Sequence, residues 1–164
     1  MILRPGAVTQ EMIEEVIGPI AIEPSVAKGL AISNDEKPRS PGMKYRHYAP
    51  KGNLILLDGT LAAKAAWIQD RLSESDAPAG LLLSNELFCA LGYVDGSVPN
   101  HVHFENLGSD ENPEEMARHL FAALRRFDDM GCQKIYGEVY SNAGVGMALM
   151  NRLLRAASGQ ILHV

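Results

Sequence analysis

The most constraining feature of this chain is an alternation that starts after Pro50. Short, continuous apolar runs at 53–58 (NLILLD), 79–83 (AGLLL), 101–104 (HVHF) and 134–140 (KIYGEVY) are separated by segments long enough for helices. Runs that are apolar on both sides of a strand need cover on both faces of the sheet. Strands alternating with helices of ten or more residues imply parallel strands joined by right-handed crossovers. The expected fold of residues 52–164 is therefore a three-layer, Rossmann-like α/β domain. Its sheet should be mainly parallel with four to five strands, the fifth being a short strand or tail at 161–164.

The helices between these runs carry local start and stop signals. Thr60 suits an N-cap for a helix running to about Leu72, which would bury Leu61, Ala65, Ile68 and Leu72. Residues 85–92 read as one or two helical turns. Asn112-Pro113-Glu114-Glu115 combines a capping Asn, a proline at the first helical position and acids at the positive end of the dipole. Met116, Leu120, Leu124 and Phe127 then recur at helical spacing up to Gly131. A last helix is expected from Ser141 or Asn142, with Val145, Leu149, Met150, Leu153 and Leu154 inward.

Residues 1–50 differ, with prolines at 5, 19, 24, 38, 41 and 50. Thr9 caps a predicted short helix whose residues Met12, Ile13, Val16 and Ile17 share one face before Gly18. A helix this short needs a docking surface. Residues 19–51 read as a long connector, least ordered at 33–39. A connector of this length is characteristically a functional lid or a linker.

The charge balance narrows the partners. The formal net charge is -5 and the isoelectric point about 5.5. Such a chain has no broad basic field for tight nucleic-acid binding by counterion release. Cys89 and Cys132 lack zinc or disulfide spacing, which fits a reducing cytoplasm. No run approaches the ~18 apolar residues of a membrane helix, so a soluble, cytoplasmic protein is expected.

Chemistry concentrates in residues 40–50, SPGMKYRHYAP. Lys44 and Arg46 can pair with phosphate oxygens, Arg46 through two parallel bonds. Tyr45 and Tyr48 can stack and donate hydroxyls. In an extended strip Lys44, Arg46 and Tyr48 face one side, and Tyr45 and His47 the other. The strip can lie over a nucleotide; from its chemistry alone it is more simply a connector whose tyrosines pack on the domain and whose cations are solvated. Gly144 and Gly146, before a helix, form a weaker phosphate-site candidate, because the full dinucleotide fingerprint is absent. Tight helix–sheet packing explains them as well. His101 and His103 share a strand face but lack a nearby third ligand, so no metal site is assigned. Asp58 stands at the strand edge where α/β domains bind ligands, but with Gly59 and Thr60 it more simply makes the strand-to-helix turn.

The run SPGMKYRHYAP resembles the signature linker of long-form threonylcarbamoyl-AMP synthases. The opening ILRPGAVTQEMIEEVIG is similar to the end of their YrdC-like catalytic domain and the following helix. SNAGVGMALMNRLLRAAS is similar to a motif late in their C-terminal domain. The resemblance divides the chain into residues 1–18, a remnant of the catalytic domain and its following helix; 19–51, linker; and 52–164, C-terminal domain. It implies an N-terminal YrdC-like domain, in cis or trans, that makes threonylcarbamoyl-AMP from ATP, L-threonine and bicarbonate for tRNA modification. ATP and Mg²⁺ then belong to the full-length enzyme, and no cofactor belongs to this chain alone. The same resemblance makes Lys44, Tyr45, Arg46, His47 and Tyr48 a lid over the catalytic cavity and Arg4 a nucleotide contact. No residue here is assigned a catalytic role, and the chain alone is expected to be inactive. Two alternatives are a free-standing nucleotide-binding module, with ligand near Asp58 and Gly144, and a purely structural interaction domain.

Overall fold

The structure is a computed structural model that describes residues 1–27, 49–93 and 98–164, without the side chains of Ser25 and Ala27. The five strands are β1 (Asn53–Asp58), β2 (Ala79–Leu83), β3 (Val102–Asn106), β4 (Lys134–Glu138) and β5 (Ile161–His163). They form one sheet in the order β3-β2-β4-β1-β5, and every pairing is parallel. The expected parallel α/β architecture is thus observed with five strands.

Helices cover both faces. On one side, α3 (Leu61–Ser73) and α4 (Asn85–Ala90) bury Ala65, Ile68, Leu72 and Leu87 against Leu57, Leu81, Leu83 and Tyr136. On the other, α5 (Pro113–Asp129) and α6 (Gly146–Ala156) bury Met116, Leu120, Phe127, Leu149 and Leu153 against Leu54, Leu56, Leu82 and Ile135. Adjacent strand residues therefore go to opposite cores, as the period of two requires. Gly80 permits α5 to approach β2 closely. A Cβ there would lie 2.8 Å from the Cδ1 atom of fully buried Phe127.

The local start signals act as read. Thr9 Oγ1 accepts from the Met12 N–H, Thr60 Oγ1 from Ala63 and Asn112 Oδ1 from Glu115. Three boundaries differ. β3 begins at Val102, leaving His101 in the preceding turn, and β4 ends at Glu138 rather than Tyr140. α6 begins at Gly146 instead of Ser141 or Asn142, because the intervening residues make tight turns. There the Ala143 carbonyl accepts from the Gly146 N–H at 2.9 Å, and a Cβ on Gly146 would meet the Ser141 carbonyl oxygen at 2.2 Å.

Before the domain come α1 (Gln10–Ile17) and α2 (Pro24–Ala27), the latter inside a stretch read as connector. α1 forms as expected, but Met12, Val16 and Ile17 on it are 54%, 82% and 70% exposed. The 33–39 stretch and the lid candidates Lys44, Tyr45, Arg46, His47 and Tyr48 lie outside the described residues. Among the described residues no helix is long and apolar enough to cross a membrane.

Candidate functional site at the carboxyl edge of the sheet

β4 is the central strand, and its neighbours β2 and β1 lead into helices on the face opposite to α6. The carboxyl end of β4 is therefore a switch point, the place where open parallel sheets bind ligands. Here it holds a side chain of the protein itself. Glu138, the last residue of β4, is 2% exposed.

Four polar contacts surround that carboxylate. Lys64 Nζ donates to Oε2 at 2.8 Å. The Ser84 backbone N–H and hydroxyl donate to Oε1 at 2.8 and 2.9 Å, and the Tyr140 hydroxyl donates at 3.2 Å. Ser84 serves two elements, because its oxygen also accepts from the Leu87 N–H as the cap of α4. Lys64 stands in the first turn of α3, where the positive helix end disfavours a cation. The Glu138 carboxylate offsets that repulsion and the loss of water around an ammonium whose side chain is 10% exposed.

Two further acids, Glu86 and Asp110, lie close to the pair. Glu86, in the first turn of α4, accepts from the Ser109 hydroxyl at 2.7 Å and the Asp110 N–H at 3.1 Å. Burial raises its carboxyl pKa, but these bonds, with its own backbone and Ser84, outweigh burial and hold it below the ordinary value. Asp110 is pushed up by burial and then by Glu86, Glu138 and Glu111, with Lys64 opposing. Tyr140 is pushed well above the usual phenol value, first by burial of its hydroxyl and then by Glu138. The residue as a whole is half-buried.

Three carboxylates around one ammonium oppose a nucleotide phosphate, and Glu138 already has donors on both oxygens. The arrangement fastens the amino-terminal turns of α3 and α4 to the end of β4. It does not present a nucleophile or a base to solvent. Among the described residues no group of three or more His, Cys, Asp or Glu side chains could hold a metal ion.

The residues singled out from the sequence do not converge here. Asp58 Oδ2 lies 3.0 Å from His163 Nδ1, across to β5. Gly144 has φ +53°, and the Glu11 carboxyl of α1 is held below its ordinary pKa first by the Thr9 side chain and its own backbone, with a smaller contribution from the Gly144 backbone. Gly146 is buried in the turn described above. Arg4 is exposed, and its charge lowers the pKa of Arg155, although burial is the larger cause. Sequence reasoning missed Glu138, Lys64, Ser84 and Tyr140. The available signal was Glu138 itself, an acid in an otherwise strand-forming run.

Residues 8–158 match the family described as Threonylcarbamoyl-AMP synthase, C-terminal domain (Sua5_C). A threonylcarbamoyl-AMP synthase of Bacillus subtilis is 37% identical over 99% of this chain and 43% of its own length. The one of Pyrococcus abyssi is 34% identical over the whole of this chain and 44% of its own. A crystal structure of P. abyssi Sua5 complexed with L-threonine superposes with a TM-score of 0.76 at 35% identity, covering 99% of this chain and 43% of that one. A second P. abyssi Sua5 structure, of a doubly substituted form, gives the same TM-score at 34% identity. The chain spans about two fifths of the length of the relatives it matches, and the matching family model is of a C-terminal domain. The agreement of family match, sequence identity and sheet architecture leads to one conclusion: this chain belongs to the threonylcarbamoyl-AMP synthase C-terminal domain family.

Proposed function

We propose that this chain is the accessory half of a longer synthase that joins ATP, L-threonine and bicarbonate into threonylcarbamoyl-AMP for tRNA modification. The observation that carries the reading is the match over nearly the whole chain but only 43% of the B. subtilis relative. Binding and activation of substrates then fall to a preceding YrdC-like domain, joined in cis. That the P. abyssi relative was solved with L-threonine supports this substrate for the longer protein. ATP and its magnesium are substrates of the whole protein. Among the described residues no set of His, Cys, Asp or Glu side chains could hold that ion.

In this reading Lys44, Tyr45, Arg46, His47 and Tyr48 cover the nucleotide held by the preceding domain. Arg46 grips phosphate oxygens by two parallel bonds, Lys44 adds a point charge, and the tyrosines supply flat apolar cover. Their work is to bind, orient and exclude water, which protects a hydrolysable carbamoyl-adenylate. The doubly substituted P. abyssi structure has alanines in place of an adjacent His and Tyr, and His47–Tyr48 is the one such dipeptide here. Arg4 is assigned a nucleotide contact, consistent with its exposure.

The test is Arg46→Ala and Tyr48→Ala in a full-length protein carrying this half. Loss of the charge-assisted Arg46 bond should cost about 1.5–3 kcal/mol, or roughly ten- to hundredfold in rate or affinity. ATP requirement and leakage of hydrolysed intermediate should rise while the melting temperature holds. Unchanged kinetics in both variants would remove the lid. A fall in melting temperature at normal specific activity would assign these side chains to packing instead.

A further inference from the structure

Residues 1–27 are knitted into one unit before they reach the domain. The Ile2 N–H donates to the Ala21 carbonyl at 2.7 Å and the Ile2 carbonyl accepts from the Glu23 N–H at 3.0 Å, making a parallel bridge between Ile2 and Ile22. Gln10 Nε2 reaches the Ile20 carbonyl at 3.2 Å, and Glu14 Oε1 accepts from the Ile20 N–H at 3.1 Å. α1 is thereby tied to the strand-like segment that enters α2.

The unit meets the domain at α6. Val26 in α2 is 2% exposed, although α2 is only four residues long. Asn151, in the middle of α6, is 8% exposed, and its side-chain Nδ2 donates to the Val26 carbonyl at 2.8 Å. An amide on an otherwise apolar, buried helix face costs free energy unless it is bonded. Here that bond is made to the backbone of α2. While the unit is held in this way, α1 keeps Met12, Val16 and Ile17 outward, continued by Val8 just before its cap, each more than half exposed.

We propose that Asn151 is a positioning residue that clamps the unit 1–27 onto α6, so that the apolar stripe of α1 is presented to the chain preceding it in the longer protein. The occupant follows from two observations: the relatives extend well beyond the matched portion, and the family model is of their carboxyl-terminal domain. The unit that leads into residue 27 is thus a bracket between two domains, with Val26 and Asn151 on one side and the α1 stripe on the other. The second half of this inference rests on the reading that a domain precedes residue 1; the clamp itself does not.

The test has two arms. In the 164-residue chain, a site-specific protease sequence is inserted between residues 35 and 36, cleaved, and retention of the amino-terminal piece by the remainder is followed by size-exclusion chromatography. The parent should retain the piece. Asn151→Leu, which keeps the branched outline of the side chain and removes the donor, should weaken retention about ten- to hundredfold. Val26→Asp provides the same test should Asn151→Leu fail to fold. Release from the parent, or equal retention in the parent and a folded clamp variant, would overturn the clamp. In the full-length protein, the α1 amides should exchange more slowly than in the isolated chain. Equal exchange of α1 in both would overturn its presentation to a preceding domain. Failure of the full-length protein to make threonylcarbamoyl-AMP, with both arms positive, would defeat the proposed activity and leave the bracket standing.

Discussion

Replacing Glu138 by Gln keeps the shape at the end of β4 and removes the charge opposite Lys64. Both side chains are almost enclosed, at 2% and 10% exposure, so solvent screens the pair little. The Lys64 ammonium would then lie against a neutral amide in the first turn of α3, with the helix dipole against it. Removing one partner from a buried ion pair costs about 3–5 kcal/mol. The Ser84 and Tyr140 donors can still find the amide oxygen, which places the expected loss near 3 kcal/mol. For a domain of this size that is a fall in melting temperature of about 10 °C. Replacing both partners with apolar residues, Lys64→Met with Glu138→Leu, should recover part of the loss, because no uncompensated charge remains. Urea and thermal unfolding of the single and double variants measure the terms of the cycle. A loss below about 1 kcal/mol for Glu138→Gln, or strictly additive effects in the double variant, would refute the claim that this pair fastens the carboxyl edge.

Three further outcomes are expected. Gly80→Ala should destabilise by about 1–3 kcal/mol, since its Cβ would stand 2.8 Å from a Phe127 ring with no room to retreat; unchanged denaturant unfolding would contradict this. Asp110→Asn should raise the melting temperature at pH 7. The folded carboxyl pKa is raised, so ionised Asp110 costs stability as pH climbs from the unfolded value of about 3.9 through the folded one. The gain should vanish below pH 3, and a gain independent of pH would contradict the assignment. The 164-residue chain alone should release no threonine-dependent pyrophosphate from ATP and bicarbonate, and a pyrophosphate assay showing such release would contradict the division of labour between domains.

What the sequence determined by itself was local. NLILLD and AGLLL are apolar on both strand faces, which demands helices on both sides and so a parallel α/β sheet. Thr9, Thr60 and Asn112 announce helix starts because a cap bonds only two or three residues ahead. The tertiary structure decided what depends on distant partners. Lys64 and Glu138 are 74 residues apart, and nothing in either neighbourhood announces their contact. Asn151 and Val26 are 125 apart, and in sequence the amide reads as a polar interruption of an apolar helix. The strand order β3-β2-β4-β1-β5, which brings Glu138 between the ends of β2 and β1, comes from crossover packing and not from any run of residues. Caps and periodicity are short-range energies written in neighbouring residues, whereas a buried charge or amide is tolerable only where the fold brings it a partner.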